Sequence, residues 1–334
     1  LAFLGGITTL YIAAAVLVNP WDYFPPQVFR PVALDSRKEK LRLFESFRHT
    51  RAVEGIVFGS SRTMGISPSE LQAQTGQCYF NFCVDSARAE DYLAIYRWVR
   101  SRGIEPKTIL IGLDVEALHN DDQQDERLRC NQGLMQALEG RESGSFGQAT
   151  RDTLGRLKKT LSDQYARDMG RSLWGYLQPD GSPRGGAHFD ATGALVYGQS
   201  KRRAPDDSIG IQSRIAENQE EYERRFQGMT ALSAKRRGCL EDLLRETKHS
   251  RRVIWITPIH PELARYLESK TSYGRLLGET RQLLYDLGSR HGVMVYDFSE
   301  PALFGGDESD WRNGAYMGFG NASVLTQKIT DGMK

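Results

Sequence analysis

Residues 54–63 read EGIVFGSSRT: an apolar run, Gly55–Phe58, that passes directly into Gly59, Ser60, Ser61 and Arg62. The run is short and unalternating, as a strand buried on both faces is, and the small residues after it spell a tight turn. A strand that ends in a serine-bearing turn is one way for a sheet to hold out a nucleophile. The same two serines could also do no more than cap a helix. Which of these applies depends on whether the rest of the chain supplies the sheet and a base.

Four further runs have the same character: Tyr79–Val84, Thr108–Leu113, Val253–Thr257 and Val293–Asp297. Between them lie helical patterns. Ala89–Arg102 sets Tyr92, Ile95, Tyr96 and Val99 on one stripe before Gly103, and Gly274–His291 does the same with its leucines before Gly292. The alternation of strand and helix predicts an α/β fold: an open, largely parallel five-stranded sheet with helices on both faces, a three-layer sandwich. Between the third and fourth runs, residues 119–237 read as an insertion over the C-terminal edge of the sheet, where open α/β folds bind ligands. That insertion holds a basic amphipathic stretch (Gly147–Tyr176), a Gly/Pro/Asp-rich middle (Pro179–Gly186), a turn and strand in FDATGALVYG, and a charged helix (Arg214–Glu246).

The chain has 334 residues, and 44 Lys and Arg nearly balance 42 Asp and Glu, so nothing in its charge marks a nucleic-acid binder. The basic runs Lys201–Arg203 and Lys235–Arg237 read as solvated loop and helix surface. Residues 1–19, which precede the first charge at Asp22, are expected to form a single transmembrane anchor, with Trp21, Tyr23 and Phe24 at the membrane interface. Residues 20–52 read as a linker followed by a charged entry helix, Ser36–His49, and 53–334 as the globular domain. Cys78, Cys83, Cys130 and Cys239 show neither CxxC nor metal-ligand spacing, so no metal and no cofactor is expected. Cys78 and Cys83 read as buried thiols, and a disulfide between some pair is left open.

From Val53 onward the order of motifs resembles the SGNH/GDSL-type hydrolases, in the membrane-anchored branch similar to polysaccharide O-acylation proteins. The resemblance puts Ser61 in the nucleophile position. NFCVDSAR, opening at Asn81, matches the second block, with Ser86 where the family has its oxyanion glycine; Gly112-Leu113-Asp114 matches the third, with Asp114 in place of the oxyanion asparagine. The last block should carry an aspartate and a histidine, but in DWRNGAYMGFG their positions are held by Asn313 and Tyr316. His260, after the fourth strand, is the candidate substitute base, and His119 is the second. Arg62 and Arg88 are expected near the cleft mouth, either clamping an acidic group or pairing with Asp85, Asp114 or Glu116.

Three readings are open. Loss of the dyad and of the oxyanion amide favours a catalytically inactive SGNH-like domain that binds a glycan or serves as an accessory subunit of a membrane complex. A serine esterase or O-acyltransferase acting through Ser61 on a cell-envelope polysaccharide would need an unconventional base, since a phenol with a pKa near 10 is a poor one. A purely structural subunit of a membrane assembly is the third. The resemblance implies a single-pass protein of the cytoplasmic membrane with an extracytoplasmic domain, whose partners are the membrane and a membrane protein or polysaccharide.

Overall fold

A computed structural model describes the chain from Ala2 to Met333, apart from residues 22, 25–27, 30–31, 33–34, 122, 141–145, 178–187 and 198–207. The Pro179–Gly186 and Lys201–Arg203 stretches therefore lie outside the described residues. The elements in chain order begin with α1 (Ala2–Val18), α2 (Ser36–Thr50), β1 (Gly55–Phe58), α3 (Pro68–Thr75), β2 (Tyr79–Asn81), α4 (Ala89–Arg100) and β3 (Thr108–Leu113). Between β3 and the next sheet strand lie α5 (Glu126–Arg129), α6 (Gln132–Glu139), α7 (Phe146–Thr160), α8 (Asp163–Leu177), the small strands β4 (His188–Phe189) and β5 (Leu195–Val196), α9 (Ser208–Gln227) and α10 (Ala234–Glu246). The chain then closes with β6 (Arg251–Ile256), α11 (Pro261–Lys270), α12 (Tyr273–His291), β7 (Met294–Asp297), α13 (Pro301–Phe304) and α14 (Phe319–Asp331).

The five long strands form one sheet in the order β2-β1-β3-β6-β7, every neighbour parallel. Side chains alternate between two cores, as a pleated strand requires. Ile56, Phe58, Ile109, Ile111, Ile254 and Ile256 pack on the face covered by α2, α4, α10 and α12. Val57, Leu110, Val253 and Trp255 pack on the opposite face with Leu71 of α3 and Leu325 and Ile329 of α14. The expected α/β sheet with helices on both faces is thus present. Its order reverses between β1 and β3, and in open sheets the crevice at such a switch point, beyond the carboxyl ends of the strands, is where ligands bind. Ser61 follows β1 and Asp114 follows β3.

Several boundaries differ from the sequence reading. The charged helix expected over Arg214–Glu246 is two helices, because Gly228 ends α9 and Ser233 restarts the chain by accepting the Arg236 N–H at 3.3 Å. The basic amphipathic stretch is likewise the hairpin α7–α8, broken where Ser162 accepts the Tyr165 N–H. FDATGALVYG folds into the β4–β5 hairpin, whose turn is organised by Asp190 accepting from the Thr192 and Ala194 N–H groups. Gly193 sits there at φ +81°, and a Cβ would collide with the Asn81 carbonyl.

The expected transmembrane anchor finds no support among the described residues. The described part of α1 has 17 residues, about 26 Å at a helical rise. Among the described residues no helix is long and apolar enough to cross a membrane. The helix stops because Asn19 turns to φ +48° and accepts from the Tyr23 N–H at 2.6 Å. One side of α1 is used for packing: the Tyr11 hydroxyl donates to the Thr160 carbonyl and the Tyr165 hydroxyl to the Ala15 carbonyl, joining it to α7 and α8.

The entry helix is packed into the sheet domain. At its N-terminus Ser36 accepts the Asp85 N–H (2.8 Å), and buried Arg37 pairs with Asp91 while donating to the Asp85 carbonyl. Lys40, also buried, donates to the Asn81 carbonyl (2.8 Å) and to that of Gly193. A helix that reads as charged and amphipathic therefore places two cations inside the protein: Arg37 holds the Asp85 loop and α4, and Lys40 holds the end of β2 and the turn of the hairpin. The four cysteines are free thiols, Cys83 fully buried and Cys78 partly so.

Candidate functional site

Ser61 opens a single 3-10 turn, Ser61–Thr63, directly after β1. Ser60 caps it, accepting the Arg62 N–H at 3.1 Å, and Thr63 closes it by donating to the Ser60 carbonyl at 2.9 Å. The turn can lie flat on β3 only because Gly59 and Gly112 lack side chains; a Cβ on either would overlap Thr63. Asn81 fixes the turn from the other side. Its amide nitrogen reaches the carbonyls of Thr63 (3.2 Å), Met64 (3.3 Å) and Ile66 (3.0 Å), while its oxygen accepts the Cys83 N–H. The serines are thus part of a rigid presentation turn, and they do not begin a long helix.

The Ser61 Oγ lies 3.0 Å from the Tyr316 hydroxyl. The resemblance placed Tyr316 where a catalytic histidine would stand, and the geometry brings the two side chains into contact from positions 255 residues apart. Burial pushes the Tyr316 phenol above its usual value of 10, and the hydrogen bond from Ser61 and the charge of Arg62 offset this only in part. Even at a pKa of 10, only about one phenol in a thousand is ionised at pH 7. The pair is therefore two neutral hydroxyls, and neither deprotonates the other. Asn313 stands where the orienting acid would be, but its side-chain oxygen accepts the N–H groups of Ala315 and Tyr316, both at 2.9 Å. It shapes the loop that carries Tyr316.

His260 does not reach the serine as a substitute base. Its ring caps α11, accepting the Glu262 N–H at 3.2 Å, and its other nitrogen is 3.3 Å from the Glu308 carbonyl. His119 is similarly occupied with its own loop, accepting the Asp121 N–H at 2.9 Å. Both imidazoles come after strands, in keeping with the sequence, yet each turns back on its local backbone because a histidine after a strand end is well placed to cap the next helix or turn.

Burial lowers the pKa of both histidines below 6.5. A folded-state value below the unfolded one means that the unfolded chain takes up protons first on acidification. The stability they allow is complete above pH 6.5 and falls as the pH drops toward their folded values. We expect the thermal midpoint to decline between pH 7 and pH 5.5, and His260→Asn, which keeps a capping acceptor, to shrink that decline. A midpoint that is flat in wild type, or falls equally in the variant, would contradict this.

Arg62 takes the second of its two expected roles: it borders the cavity beside Ser61, but its guanidinium turns inward to acidic partners. It is buried and paired with Glu116, its Nη1 is 3.7 Å from Asp114, and it lies 5.0 Å from the Tyr222 ring of α9. Burial works against its charge, but Asp114 and Glu116 more than compensate and hold its pKa above the ordinary guanidinium value. Asp114 in turn accepts from the Thr257 hydroxyl at 2.5 Å. The carboxylate in the oxyanion-asparagine position is thus engaged in an ion-pair cluster and offers no donor. Arg88 is not at the cleft mouth: Asp121 grips it through both oxygens, at 2.6 and 2.8 Å. Ser86 does occupy a glycine-like backbone, φ +49°, with its side chain exposed. Its N–H could be presented as a glycine's would, at the strain a non-glycine residue bears there.

A small cavity of about 20 Å³ adjoins Ser61 and Tyr316, bordered by Arg312, Tyr197 and Phe319. It has room for about one water. The Arg312 guanidinium lies over the Tyr197 ring at 3.4 Å and near the Phe319 ring at 4.6 Å, and it makes no ion pair among the described residues. Sequence reasoning missed this cation, along with Thr257 and Tyr222, whereas it named Glu116 as a partner for Arg62. Arg312 was readable only as the neighbour of Asn313, and Tyr222 reaches the cluster from a helix of the insertion that carries no motif. No protein-family model, curated protein or solved structure matches the chain, so the SGNH resemblance rests on these strand-end residues.

Proposed function

We propose that the chain is a membrane-associated SGNH-like protein whose Ser61 cleft binds a ligand without turning it over, serving as a glycan-binding accessory subunit of a membrane complex. One observation carries this reading: the hydroxyl of Ser61 is paired with the phenol of Tyr316, at 3.0 Å, where acyl transfer would need an imidazole. The chemistry around it agrees. Asn313 cannot stabilise a cationic base, and Asp114 would repel a developing oxyanion instead of donating to it. Arg312 gives the mouth of the cavity a positive edge suited to an acidic group on a ligand that rests on this rim, since the cavity itself holds about one water. Glycan as the ligand class and an extracytoplasmic position come from the resemblance, and α1 is proposed to hold the protein at the bilayer.

The test is labelling of the purified full chain with a fluorophosphonate probe, which forms a bond only with an activated serine. Wild type, Ser61→Ala and Tyr316→Phe should all remain unlabelled under conditions that saturate an active serine hydrolase. Labelling of wild type that disappears in Ser61→Ala would overturn the proposal and make the protein an esterase or acyltransferase. Its additional loss in Tyr316→Phe would identify the phenol as part of the activating machinery.

A further inference from the structure

Large apolar side chains exposed on the sheet domain stand singly, as Tyr285 and Leu303 do, which is ordinary for a soluble surface. The unit formed by α1, α7 and α8 is different. α1 has no charged residue, and leaves Leu10 73 % exposed and Leu17 55 % exposed; α7 leaves Leu154, and Leu161 comes next in the hairpin turn. α8 exposes Leu173, Trp174 (65 %), Tyr176 and Leu177 (72 %) within two turns. Exposed apolar groups concentrated on packed neighbouring helices mark an interaction surface.

The periodicity of α8 separates packing from exposure. Tyr165, Asp168 and Ser172 recur at helical spacing and are buried; Tyr165 packs against Trp21 and Tyr23 and donates to the Ala15 carbonyl, and Asp168 accepts from the Trp21 indole. Leu173, Trp174 and Leu177 lie on the adjoining arc, and Arg171 lies beyond them, exposed and bonded to Asp168. On α7, Lys158 is exposed one turn after Leu154. Among the described side chains of α8 the acidic groups are Asp168, which accepts from Trp21 and Arg171, and Asp163, exposed at the start of the helix.

We infer that the α7–α8 hairpin is a membrane-contacting element that lies in the headgroup region of a bilayer containing anionic lipid. Leu173, Trp174 and Leu177 enter the acyl boundary, and Arg171 and Lys158 reach the phosphates. The arrangement of an apolar arc, an interfacial tryptophan and flanking cations is that of a helix lying in the interface plane. Charge favours this occupant over a second copy of the chain, because two copies would bring the same cations together whereas an anionic surface neutralises them. The contact adds to α1, and because the hairpin lies in the insertion that also supplies Tyr222 beside Arg62, it fixes the cleft at a set height above the lipid.

The test uses the full chain bound to vesicles of equal phosphatidylglycerol and phosphatidylcholine with brominated acyl chains, which quench tryptophans at the acyl boundary. Of the 5 tryptophans, Trp98, Trp255 and Trp311 are buried in the sheet domain, and Trp21 is half-buried at the end of α1, so all measurements are made in a Trp21→Phe background where Trp174 should dominate the quenchable signal. We expect Trp174→Phe to reduce that signal about twofold or more, and Leu173→Glu/Leu177→Glu to reduce it similarly while leaving the thermal midpoint unchanged. Quenching that is the same with and without Trp174→Phe would overturn the inference. So would light scattering that shows a dimer in solution which the double glutamate variant dissolves, since the patch would then be a self-association surface. Neither result bears on serine labelling, so failure here is separable from failure of the proposed function.

Discussion

Asp91→Ala should lower the stability to urea unfolding by about 3–5 kcal/mol, the range for breaking a buried ion pair from one side. Arg37 and Asp91 are both fully buried and meet through two parallel bonds, Nε to Oδ1 at 2.7 Å and Nη2 to Oδ2 at 2.9 Å. Burial opposes the arginine charge and in wild type Asp91 and Asp125 more than offset it; a guanidinium does not give up its proton in a protein, so Arg37 stays charged when Asp91 is removed. Its remaining carboxylate would be Asp125, at 3.8 Å. The variant also strips the Arg88 N–H of its acceptor at the start of α4, one of the bonds that hold the end of the Asp85–Ser86 loop. Asp91→Asn, which retains acceptor geometry without the charge, should fall between wild type and alanine. Replacing both partners by apolar residues of matching volume should cost far less than either truncation, because no charge is then stranded. An Asp91→Ala loss below about 1 kcal/mol would show that this pair is hydrated, and that α2 is not the clamp on the Ser86 loop.

That clamp marks where the sequence stopped being readable. The strands were legible because a segment buried on both faces must be apolar throughout, and Gly55–Phe58 and Thr108–Leu113 were placed to the residue. The contact between Ser61 and Tyr316 was legible only through the order of motifs; nothing local links residues so far apart. Arg37 and Lys40 were not legible at all. A charged residue in an amphipathic pattern is ordinarily solvated, and its burial depends on acceptors that distant segments bring, here Asp91 for one and the Asn81 and Gly193 carbonyls for the other. The histidines failed for the opposite reason. Their strand-end positions were right, but a ring there has nearby backbone to cap, and at His260 and His119 those short-range bonds prevail over a reach to Ser61.

Arg236→Ala should likewise cost about 3–5 kcal/mol, whereas Lys235→Ala and Arg237→Ala should each stay within about 0.5 kcal/mol of wild type. The run KRR at 235–237 reads as one basic patch, but successive residues on a helix point about 100° apart, so one can be buried between two that are solvated. Lys235 and Arg237 are exposed, while Arg236, on the stripe of Leu240, Leu243 and Leu244, is 2 % exposed. Its Nε faces Glu90, itself 1 % exposed, at 3.0 Å. Its remaining donors go to the Asp121 carboxylate (2.7 Å) and to the carbonyls of His119, Asp121 and Gln123. Truncation leaves Glu90 charged in the core and frees the first turn of the insertion, the loop that also holds Arg88 through Asp121. Glu90→Gln in the same background should recover part of the loss by removing the stranded charge, and amide exchange in residues 119–123 should accelerate in Arg236→Ala alone. Equal costs for all three positions would mean that the helix is rotated and that the patch is solvated surface after all.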